Sequence, residues 1–377
     1  MKINIFGSTG EIGKKSLSII KKFFPDLRIN LLVANNNYKM LIKQINIYQP
    51  KYIYINNIKF YNLLKKYDFQ KNTKILSTKE FIEYLSNSRS DTSILAISGY
   101  GALFYLKYIF KNTDNLGLVN KEAIVSAGHL FKNFKKKYNT NIYPLDSEHF
   151  SLYNLFCNRK INFKSILLTA SGGPFLNKDI NSSLINFKQA TKHPKWKMGY
   201  KNSIDSATLA NKCLEIIEAH YLFDIPYNNI DIVIHPEAYI HSIVELKNFT
   251  TIMNGFYPDM FVPIYNFLSN NIKKSIPAYD KKYIFKKKQT LNFMDIDTKK
   301  FPIYKIFNKL NKSSISDIVK FNCANEIAVI NFKEGKIKYN QIHEFIDNSL
   351  GLDFNHSLNN IHQVIEFQNK FKMKICK

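Results

Sequence analysis

Arginine is almost missing from this 377-residue chain. It occurs only at Arg28, Arg89 and Arg159, so lysine supplies nearly all of the 54 basic side chains behind a net charge of +25. Nucleic-acid readers lean on the bidentate guanidinium, and the lysines here are spread along the chain, with modest clusters at 135–137 and 286–288. Lys, Asn, Ile, Tyr and Phe are abundant together, as A/T-rich codons would make them. Nucleic acid is therefore not an expected partner, whereas a phosphorylated or acidic small molecule would gain from the positive field. Cysteine is scarce too. Cys157, Cys213, Cys323 and Cys376 lie far apart without metal-type or redox-type spacing, which fits free thiols in a reducing, cytoplasmic setting. No run of about 18 apolar residues occurs, and the N-terminus runs directly into the strand-like MKINIFG. Neither a membrane span nor a signal or transit peptide is expected.

What is present is globular, with 45% apolar and 14% aromatic residues. The length allows two or three domains at about 150 residues each. Residues 2–6 read as a strand, Gly7-Ser8-Thr9-Gly10-Glu11-Ile12-Gly13 as a glycine-rich turn, and the residues through Ile20 as a helix. Such a turn lets backbone approach a pyrophosphate at a helix N-terminus, although packing alone also explains glycine-rich turns. Residues 30–34 form a second strand. A carboxylate at its end would grip the ribose diol of NAD; Asn35, Asn36 and Asn37 stand there instead, which points to NADP. Further strands at 52–55, 74–76 and 93–98 alternate with helix-length segments, as in a doubly wound parallel sheet of Rossmann type.

Ligands of such sheets bind beyond the carboxyl ends of the strands. Asn120, Lys121 and Glu122 follow the strand at 116–119, either as a helix start or as cofactor and substrate contacts. In Asp146-Ser147-Glu148, read as extended chain, residues two apart point to one side, so the two carboxylates can converge on a hard divalent cation. An acidic surface loop is the alternative. Only 29 acidic residues occur in the whole chain, which makes the cluster harder to dismiss. Ser171-Gly172-Gly173-Pro174 ends another strand, and Ser171 could donate to a phosphate or hydroxyl there, though a structural turn accounts for the glycines equally well.

Residues 193–222 read as a loop holding the lone Trp196, a cap at 203–206, and a helix. Asn211, Lys212, Glu215 and Glu218 recur on it at offsets of three and four and so share a face, with Ser206 near its start, where free N–H groups favour an anion. A capped amphipathic helix with a solvated Lys–Glu pair explains the segment alone as well. Residues 230–235 read as another apolar strand, and His235 and His241 as structural histidines. Residues 271–300 look like a linker, and 301–377 are helix-patterned.

Taken together, G-S-T-G-x-I-G at 7–13, N-K-E at 120–122, P-L-D-S-E-H at 144–149, T-A-S-G-G-P-F at 169–175, H-P-x-W-x-M-G at 193–199, D-S-A-T-x-x-N-K-x-L-E at 205–215, H-P-x-x-x-I-H-S at 235–242 and P-D-M at 258–260 closely resemble the 1-deoxy-D-xylulose 5-phosphate reductoisomerase family from end to end. The resemblance implies an NADPH-binding domain at 1–145, a central α/β catalytic domain at 146–270 with a flap at 193–200, the linker, and a C-terminal helical domain. It implies an NADPH-dependent homodimer that rearranges and reduces the deoxyxylulose phosphate.

By the same resemblance Asp146, Glu148 and Glu215 hold Mg²⁺ or Mn²⁺. Ser171, His193, Ser206, Asn211 and Lys212 take the phosphate and nearby hydroxyls, Ser147 and Lys121 the metal-bound end, and Trp196 covers the site. Lys121, Glu148 and His193 are the catalytic candidates. Ser8, Thr9, Gly10, Glu11, Ile12, Asn35, Asn36, Asn37, Asn120, Glu122 and Gly199 are the cofactor contacts. The chain departs from the family pattern at Glu11, where Ser is usual, and at Asn35 and Asn36, where Gly and a basic residue are usual. Phe150, Tyr200, Cys213 and Glu237 are further departures. A sugar-phosphate dehydrogenase without rearrangement and a nucleic-acid-binding protein are the rival readings.

Overall fold

The computed structural model describes residues 1–67, 69, 73–157, 161–178, 184–196, 198–272 and 290–376. They divide into two compact units, one of residues 1–123, 131–146 and 260–280, the other of residues 124–130, 147–259 and 281–377. Most of the expected linker lies outside the described residues.

The first unit is built on a seven-stranded parallel sheet: β1 (Lys2–Phe6), β2 (Arg28–Ala34), β3 (Tyr52–Ile55), β4 (Lys74–Ile75), β5 (Ser90–Leu95), β6 (Thr113–Leu118) and β7 (Asn141–Pro144). Its order is β4-β3-β2-β1-β5-β6-β7. Strand order reverses beside β1, so the topological switch point lies at its carboxyl end, where the glycine-rich turn begins. β1 pairs with β2 on one side and β5 on the other, and side chains on both its faces, Ile3 and Ile5 on one and Phe6 on the other, are fully buried. That double cover explains why the central strands read as continuous apolar runs. The helix Phe261–Ile272 also belongs here: Phe261 and Tyr265 pack edge-on against Phe23 of the helix Glu11–Phe23.

The second unit holds a four-stranded mixed sheet of β8 (Phe163–Ala170), β9 (Ile230–Ile234), β10 (Ile240–Leu246) and β11 (Thr251–Gly255), in the order β11-β10-β8-β9. The last two strands were not read from the sequence. β8 and β9 run parallel, and β10 runs antiparallel to both β8 and β11. Ile166 and Leu168 of the sheet, Leu214 and Ile217 of the helix Ala210–Phe223, and Phe307 and Phe321 of the C-terminal helices share one core. At roughly 2 kcal/mol for each fully buried large side chain, that core joins the C-terminal helices to the sheet layer.

Two expectations fail locally. Residues 147 and 148 are not extended: Ser147–Phe156 is a helix, and Glu148 lies in its first turn. A helix start turns the chain by about 100° per residue, so Asp146 and Glu148 do not converge through strand pleating. Residues 203–206 are not a cap either, but part of a helix of their own. Tyr200–Ala207 and Ala210–Phe223 are separate, divided at Leu209, which adopts φ 66°. Ser206 therefore sits at the end of a helix rather than at its start, away from the free N–H groups of a first turn.

Candidate active site

Past β1, Gly7 has φ +87°, and a Cβ there would lie 2.4 Å from the carbonyl oxygen of Ala96. Only glycine fits this turn. Ser8 is fully buried: its N–H donates to Val33 O at 2.9 Å and its hydroxyl bonds Gln44 Oε1 at 2.8 Å. Gln44 returns a bond to the Ser8 carbonyl at 2.7 Å. Ser8 thus shapes the turn, a role the sequence did not reveal. Gly10 is the N-cap of the helix Glu11–Phe23, whose first N–H groups, those of Glu11, Ile12 and Gly13, have no partner within the helix. Thr9 is half-buried beside them. Glu11 sets a carboxylate at this anion-favouring end, and Lys14 pairs with it at 2.6 Å, which offsets its charge locally.

Past β2 and β3, four asparagines continue the ladder. Asn56 Nδ2 donates to Asn35 Oδ1 at 3.1 Å, and Asn57 Nδ2 donates to Asn36 Oδ1 at 3.0 Å. Asn37 caps the helix Tyr38–Tyr48 by accepting from the Met40 N–H. Past β6, Asn120 caps the helix Lys121–Tyr138 through Ala123 N–H and donates to the carbonyls of Ile97 and Gly99. Its side chain ties the tips of β5 and β6 together. Glu122 is buried. Lys121 donates to Asp146 Oδ2 at 2.8 Å, at the end of this unit.

In the second unit the carboxylates of Glu148 and Glu215 offer oxygens within 4.8 Å of each other. Both are buried. Lys212 reaches both, at 2.9 Å from Glu148 and 2.6 Å from Glu215. Two buried carboxylates demand such compensation, because an uncompensated buried charge costs several kcal/mol. Asn211 donates to Glu215 as well, so the face shared by Asn211, Lys212 and Glu215 forms as the helical spacing implied. Ser147 bonds Glu148 Oε2 at 2.6 Å. Glu148 and Glu215 thus offer carboxylate oxygens to a candidate metal centre, the donor type that Mg²⁺ prefers. Glu218, one turn beyond Glu215, is fully buried with a carboxylate oxygen 3.7 Å from His149 Nδ1.

The glycine turn after β8 packs on the helix Tyr200–Ala207. At Gly173, φ +69°, a Cβ would meet Ala207 Cα and the Ser206 carbonyl at 2.9 Å, so absence of a side chain brings Ser171 and Ser206 into one neighbourhood. His193 Nδ1 accepts from the backbone N–H groups of Lys195 and Trp196 at 3.2 and 2.9 Å. Nε2 therefore carries the proton of the neutral ring and donates to Ser171 Oγ at 2.9 Å. Gly173 N–H also donates to that oxygen, at 3.3 Å, leaving the Ser171 hydroxyl proton as the group to offer a ligand. Burial, helped by the Lys212 ammonium, pulls His193 down to about 4. Trp196 meets His241 edge-on at 6.2 Å, and His241 stacks on Phe256 at 4.0 Å with Nδ1 3.8 Å from Glu148. His241, read as merely structural, thus stands beside the carboxylates. Gly199 is the exposed N-cap position of the helix Tyr200–Ala207.

Three family models cover this arrangement. Residues 3–128 match 1-deoxy-D-xylulose 5-phosphate reductoisomerase, 142–223 its C-terminal domain, and 257–374 a DXP reductoisomerase C-terminal domain. The chain belongs to the 1-deoxy-D-xylulose 5-phosphate reductoisomerase family. The reductoisomerase of Pelagibacter ubique is 39% identical over 348 residues, covering 90% of this chain and 88% of the relative. That of a Sulfurihydrogenibium species is 37% identical over 383 residues, covering 100% and 98%. Among solved structures, a DOX-P reductoisomerase in complex with NADPH, fosmidomycin and magnesium superposes with TM-score 0.88 at 29% identity, covering 100% of this chain and 97% of that one. The Zymomonas mobilis reductoisomerase in complex with NADPH gives 0.88 at 29% identity, covering 99% and 97%. Phe150 sits edge-on to Phe256, and Cys213 is a fully buried core thiol. Tyr200 lies under the Lys333 ammonium at 4.3 Å, and Glu237 accepts two bonds from Asn292.

Proposed function

We propose that the chain rearranges 1-deoxy-D-xylulose 5-phosphate and reduces the product to 2-C-methyl-D-erythritol 4-phosphate, the reaction of its family. The observation that carries this reading is Lys212 bridging Glu148 and Glu215 in the same helix turn as Asn211, a buried site built for cation charge. When bound, Mg²⁺ or Mn²⁺ supplies positive charge that polarises the substrate's oxygens, and NADPH supplies the hydride.

The chain's own residues do the rest. Asp146, Glu148 and Glu215 would hold the ion, with Lys121 orienting Asp146 and Ser147 orienting Glu148. Ser171, Ser206, Asn211 and Lys212 bind the phosphate and adjacent hydroxyls, and neutral His193 holds the Ser171 hydroxyl in a donating pose. Glu148 moves the proton between substrate oxygens. Trp196 covers the site and excludes water. For the cofactor, the N–H groups at Thr9, Gly10, Glu11 and Ile12 take the pyrophosphate, Asn35, Asn36 and Asn37 the ribose end, and Glu122 and Gly199 the nicotinamide half; Ser8 and Asn120 act by fixing the turns. A cytoplasmic homodimer completes the reading. The four free thiols support that compartment, and among the described residues no helix is long and apolar enough to cross a membrane.

The test combines purified protein, the deoxyxylulose phosphate, Mg²⁺ and NADPH, with loss of nicotinamide absorbance and identification of the branched product by NMR. Folded protein that oxidises no NADPH sinks the proposal. An unbranched reduced product would favour a simple sugar-phosphate dehydrogenase. Sedimentation equilibrium reads the dimer directly.

A further inference from the structure

The four asparagines past β2 and β3 form an oriented array. The parallel register Ala34↔Ile55 continues beyond the strands: Asn56 N–H donates to Ala34 O at 3.0 Å and Asn57 N–H to Asn35 O at 3.2 Å. Side-chain amides are symmetric in shape, so their direction must come from a partner of fixed polarity. Asn57 has one. Its Oδ1 accepts the Lys59 backbone N–H at 3.0 Å as N-cap of the helix Ile58–Leu64, so its NH₂ faces Asn36, which must present Oδ1. The NH₂ of Asn36 is thereby left pointing away from the ladder. Beside it Asn56 accepts from the hydroxyls of Tyr54 and Tyr105 at 3.2 and 3.0 Å and donates to Asn35 Oδ1, but a hydroxyl gives or accepts, so only Asn57 has its direction fixed by backbone. Asn35 and Asn36 are exposed.

Neither tip, 34–40 nor 55–60, carries an acidic residue. Nothing there repels a 2′-phosphate, and no guanidinium clamps one. Lys39 and Lys59, both exposed, add only an attraction that salt screens over about 8 Å.

We propose that Asn57 is a positioning residue that aims the amide of Asn36, with Asn35 beside it, at the adenosine ribose. The 2′ position is thus read by neutral donors that accept phosphate or hydroxyl, and the chain uses NADH as well as NADPH. The proposal rests on the reading that this unit binds NADPH. An N–H bond to a charged oxygen is worth roughly 1 kcal/mol more than one to a neutral oxygen, about fivefold per bond; two such bonds cap the preference for the phosphate near thirtyfold.

The test is calorimetric titration of the folded protein with 2′,5′-ADP and with 5′-ADP, beside NADPH binding followed by nicotinamide fluorescence. An affinity ratio below about thirty is expected, rising at least tenfold in Asn36→Arg. Asn57→Ser keeps the helix cap but deletes the donor to Asn36. It should weaken both fragments several-fold with an unchanged melting temperature, which a merely structural role would not do. A ratio above thirty, or Asn57→Ser binding as wild type, overturns the proposal while leaving the cofactor reading intact; failure to bind NADPH at all overturns both.

Discussion

Asn325, from the C-terminal helix Ile315–Lys333, donates its amide to Asp205 Oδ1 at 3.0 Å, while Lys201 holds Oδ2 at 2.6 Å. Asp205 is fully buried and immediately precedes Ser206. A helix far along the chain therefore clamps the end of the helix that presents Ser206.

Replacing Asn325 with Leu removes a bond to a buried charged group, and destabilisation by about 1.5–3 kcal/mol is expected from the denaturant midpoint. If Asp205 positions Ser206, KM for the phosphosugar should rise more than kcat falls. A pure stability loss with unchanged KM at low temperature would show that the clamp serves folding alone.

Removal of metal should be more drastic. Exhaustive dialysis against EDTA should abolish NADPH oxidation, and added Mg²⁺ should restore it. Replacing a residue that merely orients a metal ligand typically weakens binding 10–100-fold. Glu215→Gln, which alters a proposed ligand itself, should weaken Mn²⁺ binding by at least about 100-fold while the fold persists.

His193 gives a pH prediction with a definite sign. Its folded-state value of about 4 lies below the ordinary value near 6.5, so a proton binds the unfolded chain more readily. Its contribution to stability is complete above about pH 6.5 and is lost as the pH falls toward 4. Wild type should therefore lose more stability than His193→Gln between pH 7 and 4.5, measured by urea denaturation. NMR of the ring should show no titration between pH 5.5 and 8.

Two glycines serve as each other's controls. Gly173→Ala adds a Cβ 2.9 Å from backbone at φ +69° and should cost a few kcal/mol, with loss of phosphate affinity. Gly199→Ala meets no atom within 4 Å at an ordinary φ and should change melting by little. Equal effects would contradict the packing of the Ser171 turn on Ser206.

Much of this was written in local pattern. Apolar runs bounded by turn residues mark strands whatever surrounds them, so β1 to β6, β8 and β9 were legible. Helical spacing was enough to bring Asn211, Lys212 and Glu215 onto one face, because offsets of three and four are geometry and not context. β10 and β11 stayed hidden. His241 falls inside β10 and polar residues break the alternation of β11, and both strands exist because β10 pairs with β8. The break at Leu209 was equally invisible, since a leucine at positive φ is held there by burial rather than by propensity.

The residues that support the site share this character. Gln44 locking Ser8, Asn57 aiming Asn36 and Asn325 clamping Asp205 lie 36, 21 and 120 positions from their partners. By itself the sequence determined the alternating α/β plan, the identity of the chemistry-bearing side chains and the family they resemble, because those reside in short-range periodicity and motif. Only the tertiary structure decided where each polar group finds its partner. A buried hydrogen bond depends on which distant backbone arrives within 3 Å, and no local pattern carries that distance.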